Sequence, residues 1–297
     1  MTRSGFVALA GRPNVGKSTL LNRVVGEKVA IVSDRPQTTR RAIRGVHQSG
    51  DRQLVLVDLP GVQRPRDALT ARMARRVQQE LEGADAALLM LNAEQPPGPG
   101  DRFIARELGQ AGLPVAIALN KIDRLDQGAL LAALSRVQEL ALDGEIFPIS
   151  ARTGAGIAEL VEHLASLLPE APFMFATETA SDQPLELLVA ELIREAAIKR
   201  TFQEVPHAVE VVVEEIEQIE SNPAGPLVRV RALIWVESPS QKGILIGAKG
   251  SMIKSIGTAA RRELERALQA HVHLDLSVRV RRDWRADDSL LDRLGIG

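Results

Sequence analysis

Gly11-Arg12-Pro13-Asn14-Val15-Gly16-Lys17-Ser18 is the stretch on which the fold of this chain turns. Its spacing is G-x-x-x-x-G-K-[ST]. The apolar run Gly5–Ala10 leads into it, and Lys17–Gly26 leads out with Leu20, Leu21, Val24 and Val25 at helical spacing. A strand, a glycine loop and a helix start, in that order, build an anion cradle. Glycines let backbone N–H groups close around phosphate oxygens, and the helix N-terminus adds its dipole. Lys17 brings a point charge for β- and γ-phosphates, and the Ser18 hydroxyl is a ligand for Mg2+. With Thr19, these residues form the predicted phosphate-binding segment.

Working outward, the first half of the chain alternates strand and helix. Gln53–Val57, Ala86–Leu91, Val115–Leu119 and Glu145–Ile149 read as strands. Ala68–Glu82, Arg102–Gln110, Ala129–Leu140 and Gly156–Leu168 read as helices. Apolar strands between helices predict an α/β fold: a mostly parallel sheet with helices on both faces. Ligands of such sheets sit at the carboxyl ends of the strands. Pro169, Pro172 and Pro184 mark a boundary, and the pattern then changes. Leu185–Arg200 is an amphipathic helix. Val209–Ile219 and Leu227–Val236 are strands joined through a hairpin connection at residues 221–225. A short helix Gln241–Ile246, a long helix Ser251–Gln269 and a strand Val272–Val280 follow, an α+β order. The division expected is 1–170, a linker 171–183, a second domain 184–286 and a loose polar tail 287–297.

Composition agrees with a globular chain: 297 residues, 45% apolar and 25% charged. The longest uncharged stretch, Leu108–Asn120, is too short to span a membrane and contains Gly109, Gly112 and Pro114. There is no cysteine, which excludes disulfides and thiolate chemistry, and residues 1–10 lack a secretory pattern. A cytoplasmic enzyme or binding protein is the expectation. The net charge of −1 hides a basic segment: residues 242–285 carry ten Lys or Arg against four Asp or Glu. A polyanion partner for that region and a solvated helix face explain it equally well. Only seven of the 37 basic residues are Lys. Five of the seven (Lys17, Lys121, Lys242, Lys249 and Lys254) fall in or beside motifs, where a compact ammonium is needed rather than a planar guanidinium.

Asn120-Lys121-Ile122-Asp123 follows strand Val115–Leu119 and therefore lies at the same sheet edge as the phosphate loop. A carboxylate at Asp123 accepts hydrogen bonds from guanine N1–H and the 2-amino group, and adenine would leave it unpaired. Asn120, Lys121, Asp123, Ser150 and Ala151 are the predicted guanine site. Asp58-Leu59-Pro60-Gly61 ends another strand: Asp58 is placed to hold Mg2+ through water and Gly61 to offer its N–H to the γ-phosphate. Gln37, Thr38, Thr39 and Arg40 form the first candidate switch, with Thr39 preferred over Thr38 as a metal ligand. Asp58, Leu59, Pro60, Gly61 and Val62 form the second. Val62 stands where Ras-like enzymes carry a water-orienting Gln, so the group that positions water is unknown from sequence. Asn14 has two readings, a turn residue and a ligand for a monovalent cation such as K+.

In the second domain, Gly247-Ala248-Lys249-Gly250 is a G-x-x-G loop between two helices, with Lys242 and Lys254 bracketing it. This is the KH arrangement, in which the loop grips about four nucleotides of a single strand. Lys242, Gly247, Ala248, Lys249, Gly250 and Lys254 are the predicted RNA-binding residues. His271 and His273 alternate on a strand with no further ligand nearby, so they read as ordinary strand positions. Trp235 and Trp284 fit packing and base stacking equally.

The ordered set GRPNVGKS, PQTTR, DLPG, NKID, ISA, SQKGILIGAKGSMIKSIG and VRVRRDWR closely resembles the Era family of bacterial GTPases, over residues 4 to about 286. The resemblance implies a P-loop GTPase domain followed by a type II KH domain, with GTP, GDP and Mg2+ as cofactors. It implies a monomeric factor in 30S small-subunit maturation, with the KH domain on the 3′ end of 16S rRNA. It also implies links to the cell cycle and to the inner face of the cell membrane. One departure is Leu59, where the family usually has Thr; this puts loop order or rate in doubt. Two other readings stay open: an RNA-binding assembly protein that barely hydrolyses its nucleotide, and a membrane-associated signalling GTPase whose basic domain meets anionic lipid.

Overall fold

The computed structural model describes residues 1–35, 38–61, 67–219 and 225–296. Gln37, Val62 and the hairpin connection at residues 221–224 lie outside the described residues. The chain forms two compact units.

The first unit comprises Met1–Ala30, Thr39–Asp182 and the C-terminal Ile296. Its elements are β1 (Arg3–Gly11), α1 (Lys17–Val25), β2 (Ile43–Ser49), β3 (Arg52–Asp58), α2 (Ala68–Glu82) and β4 (Ala86–Asn92). They continue with α3 (Pro99–Gln110), β5 (Val115–Asn120), α4 (Gln127–Val137), β6 (Glu145–Ile149) and α5 (Ile157–Leu167). The sheet order is β2-β3-β1-β4-β5-β6. All neighbours are parallel except β2 and β3. Val7–Ala10, Ala86–Leu91 and Ala116–Leu119 are buried throughout, as central strands covered on both faces must be. Register brings Leu9 beside Asp58, Gly11 beside Met90, and Asn120 beside both Asn92 and Ile149. The carboxyl ends of five strands thus share one edge.

The edge strand β2 is absent from the sequence reading. Arg44, His47, Gln48 and Ser49 give it no apolar run, and it forms because β3 offers an antiparallel partner. Its outer edge is covered. Val46 N–H donates to the Ala180 carbonyl at 2.9 Å, the Ser181 hydroxyl to the Arg44 carbonyl at 2.6 Å, and Arg44 pairs with Asp182 at 3.2 Å. Buried Gln53 accepts from the N–H groups of Met174 and Phe175 at 2.8 and 3.1 Å and donates to the Phe175 carbonyl at 2.8 Å. Residues 171–182, expected as a linker, are therefore laid down as part of the first unit, and covering an edge strand in this way blocks unwanted pairing.

The second unit comprises Gln183–Gly295 together with Ile31–Thr38. Its elements are α6 (Leu185–Ile198), α7 (Val205–Ala208), β7 (Glu210–Ile219), β8 (Leu227–Val236), α8 (Pro239–Ile246), α9 (Ser251–Leu268), β9 (His271–Val280) and α10 (Asp288–Arg293). The sheet order is β7-β8-β9, antiparallel then parallel. Val230, Ala232, Ile234 and Val236 of β8 pack with Leu192 and Ile193 of α6 and Ile256, Ala260 and Leu264 of α9.

The sequence predicts an amphipathic, one-sided α6, yet Val189–Ile198 is buried all round, Glu191, Arg194 and Glu195 included. The segment Ile31–Thr38 explains this. Ile31 joins the apolar core of the unit, Val32 N–H donates to Glu195 at 3.1 Å, and the Arg194 guanidinium donates to the Thr38 carbonyl. Arg194 also forms a two-point pair with Glu191 at 2.6 and 3.1 Å. Buried charges survive only when paired and hydrogen-bonded in this way. The tail corrects another expectation. Asp287 caps α10 by accepting from Leu290 N–H at 3.2 Å, and Trp284, Leu290, Leu291 and Ile296 are all buried.

Candidate functional site

In the first unit the phosphate loop is built from the sheet outward. Gly16, with φ of 108°, is the N-cap of α1. A Cβ at this position would lie 2.2 Å from Asn120 Nδ2, so only glycine lets the loop and β5 come together. Asn120 uses that approach. Its Nδ2 donates to the Val15 carbonyl at 2.7 Å, and its Oδ1 accepts from Ala151 N–H at 2.9 Å. One buried amide thus ties the phosphate loop to the loop after β6.

Lys17 is buried and donates to the carbonyls of Gly11 and Arg12 at 3.1 and 3.2 Å. Burial lowers its pKa, partly offset by the Asp58 carboxylate. Asp58 is fully buried, and burial raises its pKa against the opposing pull of Lys17, Ser18 and Thr39. Asp58 Oδ2 accepts from the Ser18 hydroxyl at 2.5 Å and the Thr39 hydroxyl at 3.3 Å, and the two hydroxyls are 3.2 Å apart. Asp58 Oδ1 is buried with no hydrogen-bond partner among the described residues. Two hydroxyls and a carboxylate with a spare oxygen are a hard-ligand set that fits Mg2+. Thr38 turns elsewhere: its hydroxyl donates to the Arg35 carbonyl at 2.6 Å. Gly61 lies against Pro13 of the phosphate loop. Leu59 is fully buried, packing with Ala8, Val57, Val77 and Ala84, so its side chain belongs to the core rather than to the loop surface.

At the other end of the edge, Asp123 follows Lys121, whose φ of 74° turns the chain sharply after β5. Asp123 Oδ1 accepts from the Ser150 hydroxyl at 2.6 Å and Oδ2 from Arg152 at 2.5 Å. The Ser150 bond first, and then Arg152, hold this carboxyl below the usual range. The sequence reading missed Arg152, although a cation next to Ser150-Ala151 was its available signal. It also missed Asp101, buried in the first turn of α3, which pairs with Arg12 at 3.0 Å and accepts from Gly98 N–H at 2.8 Å. Asn22 is a third omission. Its Oδ1 accepts from Val29 and Ala30 N–H at 3.0 and 2.9 Å, and its Nδ2 donates to the Ala30 carbonyl at 2.7 Å, fixing the chain just before Ile31.

In the second unit, Ser238 caps α8 and Gln241 closes the capping box. Gly247 then turns with φ of 71°, and a Cβ there would meet Met252 backbone N at 2.9 Å. Gly250, at φ of 77°, is the N-cap of α9. Ala248, Lys249 and Lys254 are exposed and Lys242 is half-buried. The loop therefore presents glycine backbone, a helix N-terminus and ammonium groups on an open surface. Trp284 is pure packing: it is fully buried and its Nε1–H donates to the Ala208 carbonyl at 3.1 Å. His271 and His273 are exposed, and no group of three or more His, Asp or Glu side chains that could hold a metal ion occurs among the described residues.

Residues 6–121 match a family described as 50S ribosome-binding GTPase, and residues 204–285 match the KH domain. A GTPase Era from Geobacter metallireducens is 43% identical over 293 residues, which is 99% of this chain and 97% of the relative. One from Mycobacterium tuberculosis is 44% identical over 296 residues, 98% of each chain. Two solved structures align over 100% of both chains with a TM-score of 0.94 at 37% identity. One is an Era variant from Aquifex aeolicus bound to GDP·AlF4−, the other Era with MgGDPNP and nucleotides 1506–1542 of 16S ribosomal RNA.

Proposed function

The chain belongs to the Era family of GTPases, and on that premise we propose that it binds Mg2+ and GTP, hydrolyses GTP to GDP and phosphate, and holds the 3′ end of 16S rRNA on its KH unit during 30S maturation. The observation that carries the nucleotide part is the cluster of buried Lys17 and Asp58 with the half-buried Ser18 and Thr39 hydroxyls, at the strand edge that also bears Asp123.

Backbone N–H groups of Asn14–Ser18 take the phosphates, and Lys17 neutralises charge on their β- and γ-oxygens. Ser18 and Thr39, with Asp58 through water, would hold Mg2+. When bound, the ion supplies charge neutralisation across the β- and γ-phosphates. Gly61 N–H is placed to donate to the γ-phosphate. Asp123 reads guanine N1–H and the 2-amino group, Ser150 orients that carboxylate, and Ala151, its N–H held by Asn120 Oδ1, lines the O6 side of the base. Lys121 lays its stem along the base. Asn14, in the left-handed region at φ of 64°, is the protein group we assign to a K+ ion beside the phosphates. The Val62 side chain offers water no hydrogen bond, so unaided turnover is slow and an RNA or ribosomal partner supplies the missing order. The G-x-x-G loop with Lys242, Lys249 and Lys254 takes the RNA backbone. The working place is the cytoplasm and, peripherally, the inner membrane face. No helix among the described residues is long and apolar enough to cross a membrane.

Asp123→Asn tests the guanine assignment. The amide donates to a 2-oxo group, so preference should pass from guanosine to xanthosine nucleotides, with GTP affinity down about 100-fold, the scale of losing charged hydrogen bonds. Unchanged GTP affinity by calorimetric titration would remove the assignment.

A further inference from the structure

The β7-β8-β9 sheet has a face turned away from α6 and α9, and that face carries a concavity of about 500 Å3. Leu233 and Trp235 of β8 line it, Leu290 of α10 closes one side, and Arg279, Arg281 and Arg293 stand around it. Strand alternation separates this face from the core. Val230, Ala232, Ile234 and Val236 point toward α6 and α9, so Leu233 and Trp235 point the other way. Trp235 and Arg279 are register partners on adjacent strands.

Two observations set the concavity apart from a solvated surface. Farther along β8, on the same face, arginines are neutralised: Arg229 pairs with Glu217 at 2.6 Å, and Arg231 with Glu215 at 2.8 Å. Among the described residues, the side chains of Arg279 and Arg293 have no ion pair or hydrogen bond, and that of Arg281 has only the influence of Asp287. The tryptophans differ in the same sense. Trp284 is sealed with its N–H satisfied, whereas Trp235 is half-buried and its indole N–H has no partner among the described residues. An open aromatic face beside uncommitted guanidinium groups, over an apolar floor of nucleotide size, has the chemistry of a stacking platform with a phosphate clamp.

We propose that this concavity is a second contact for single-stranded RNA, taking one nucleotide with its base against Trp235 and its phosphate between Arg279 and Arg293. The proposal rests on the RNA-binding reading of this unit and adds a site on the sheet face opposite the helices that carry Gly247–Gly250. β8 passes from Trp235 into α8 within four residues, so the concavity and α8 meet at the same end of the sheet. A strand of RNA longer than the four nucleotides gripped by the loop has a track to follow.

The test uses the full chain and fluorescein-labelled oligouridines of 4 and 12 nucleotides. Arg279→Glu with Arg293→Glu should weaken the 12-mer at least ~10-fold, a fold-change within the range of one stacked, clamped base, and leave the 4-mer within ~2-fold. Trp235 is the only one of the two tryptophans open to solvent, so its emission should fall as the 12-mer saturates, and Trp235→Phe should abolish that signal while the 12-mer still binds. Equal affinity of charge-reversed and wild-type protein for the 12-mer overturns the site while leaving the loop reading intact. So does an equal loss for both lengths, which would mark a general field. Emission that responds to phosphatidylglycerol vesicles and not to the 12-mer would assign the concavity to lipid and also overturn it. If the wild type binds neither oligomer, the RNA reading itself fails and takes this site with it.

Discussion

The loops at Gly11–Ser18 and Gly247–Gly250 begin from the same device, a glycine in the left-handed region capping a helix N-terminus. Their charges are housed in opposite ways. Lys17 is sealed among carbonyls next to a buried carboxylate, and the loop is tied by Asn120 to a second strand end. Lys249 and Lys254 stand in solvent, and nothing lies within 4 Å of where a Cβ on Gly250 would be. A sealed loop suits one small ligand whose every oxygen is counted. An open loop suits a chain that enters and leaves along its length. The difference is one of dielectric and access, because both loops offer similar groups.

Lys17→Ala should have the largest effect that separates the two. It leaves Asp58 buried without its counter-charge, so GTP affinity should fall about 150-fold or more, roughly 3 kcal/mol. Affinity for RNA measured without nucleotide should move less than ~2-fold. Parallel losses in both titrations would break the contrast between a sealed and an open loop.

Salt should distinguish the loops next. Three or four phosphate contacts to a single strand predict a ~20- to 50-fold loss of RNA affinity between 50 and 200 mM salt. GTP, held by buried groups that are poorly screened, should lose only a few-fold over the same range. Equal slopes in fluorescence anisotropy and calorimetry would place Lys17 effectively in solvent.

Gly250→Asp sharpens the comparison with a smaller change. A carboxylate in the open loop meets phosphate with like charge, and RNA affinity should drop ~10-fold through one lost contact and one repulsion. Gly250 is the cleaner position, because the crowding of Gly247 against Met252 makes substitution there a folding change as well. A folded Gly250→Asp protein, checked by circular dichroism, with wild-type RNA affinity would remove the loop from the interface. The smallest effect is expected of Val62→Ala. A side chain with no donor or acceptor gives little to water, so turnover should change less than ~3-fold. A loss near 100-fold, the scale of a catalytic hydrogen bond, would assign Val62 a positioning role.

Elements with a strong period were legible from the sequence: Ala68–Glu82, Glu145–Ile149 and Leu227–Val236 were bounded at the residues where they occur. The meeting of Gly11–Ser18 and Asp123 at one sheet edge was legible because each follows a strongly apolar strand. β2 was not, since an edge strand of mixed polarity is defined by its partner rather than by its own residues. The burial of α6 on its polar side was not legible either: besides partners on the helix itself, Arg194 and Glu195 meet backbone groups of residues 38 and 32, far away in the sequence. Leu59 drew notice as a departure from a family pattern, but only packing shows that its side chain joins Ala8 and Val77. Only the structure gives the two neighbouring threonine hydroxyls their partners, the Arg35 carbonyl for Thr38 and Asp58 for Thr39.

The placement of Ile31–Thr38 in the second unit sets an order in time on the ribosome that makes this chain. Val32 N–H and the Thr38 carbonyl are synthesised long before the residues that satisfy them on α6. At about 5–20 residues per second, that wait lasts on the order of ten to thirty seconds. During it, β1, β3 and β4 can already assemble while this strap hangs with its polar groups in water. The second unit closes only when its first helix returns to a piece of backbone made far earlier.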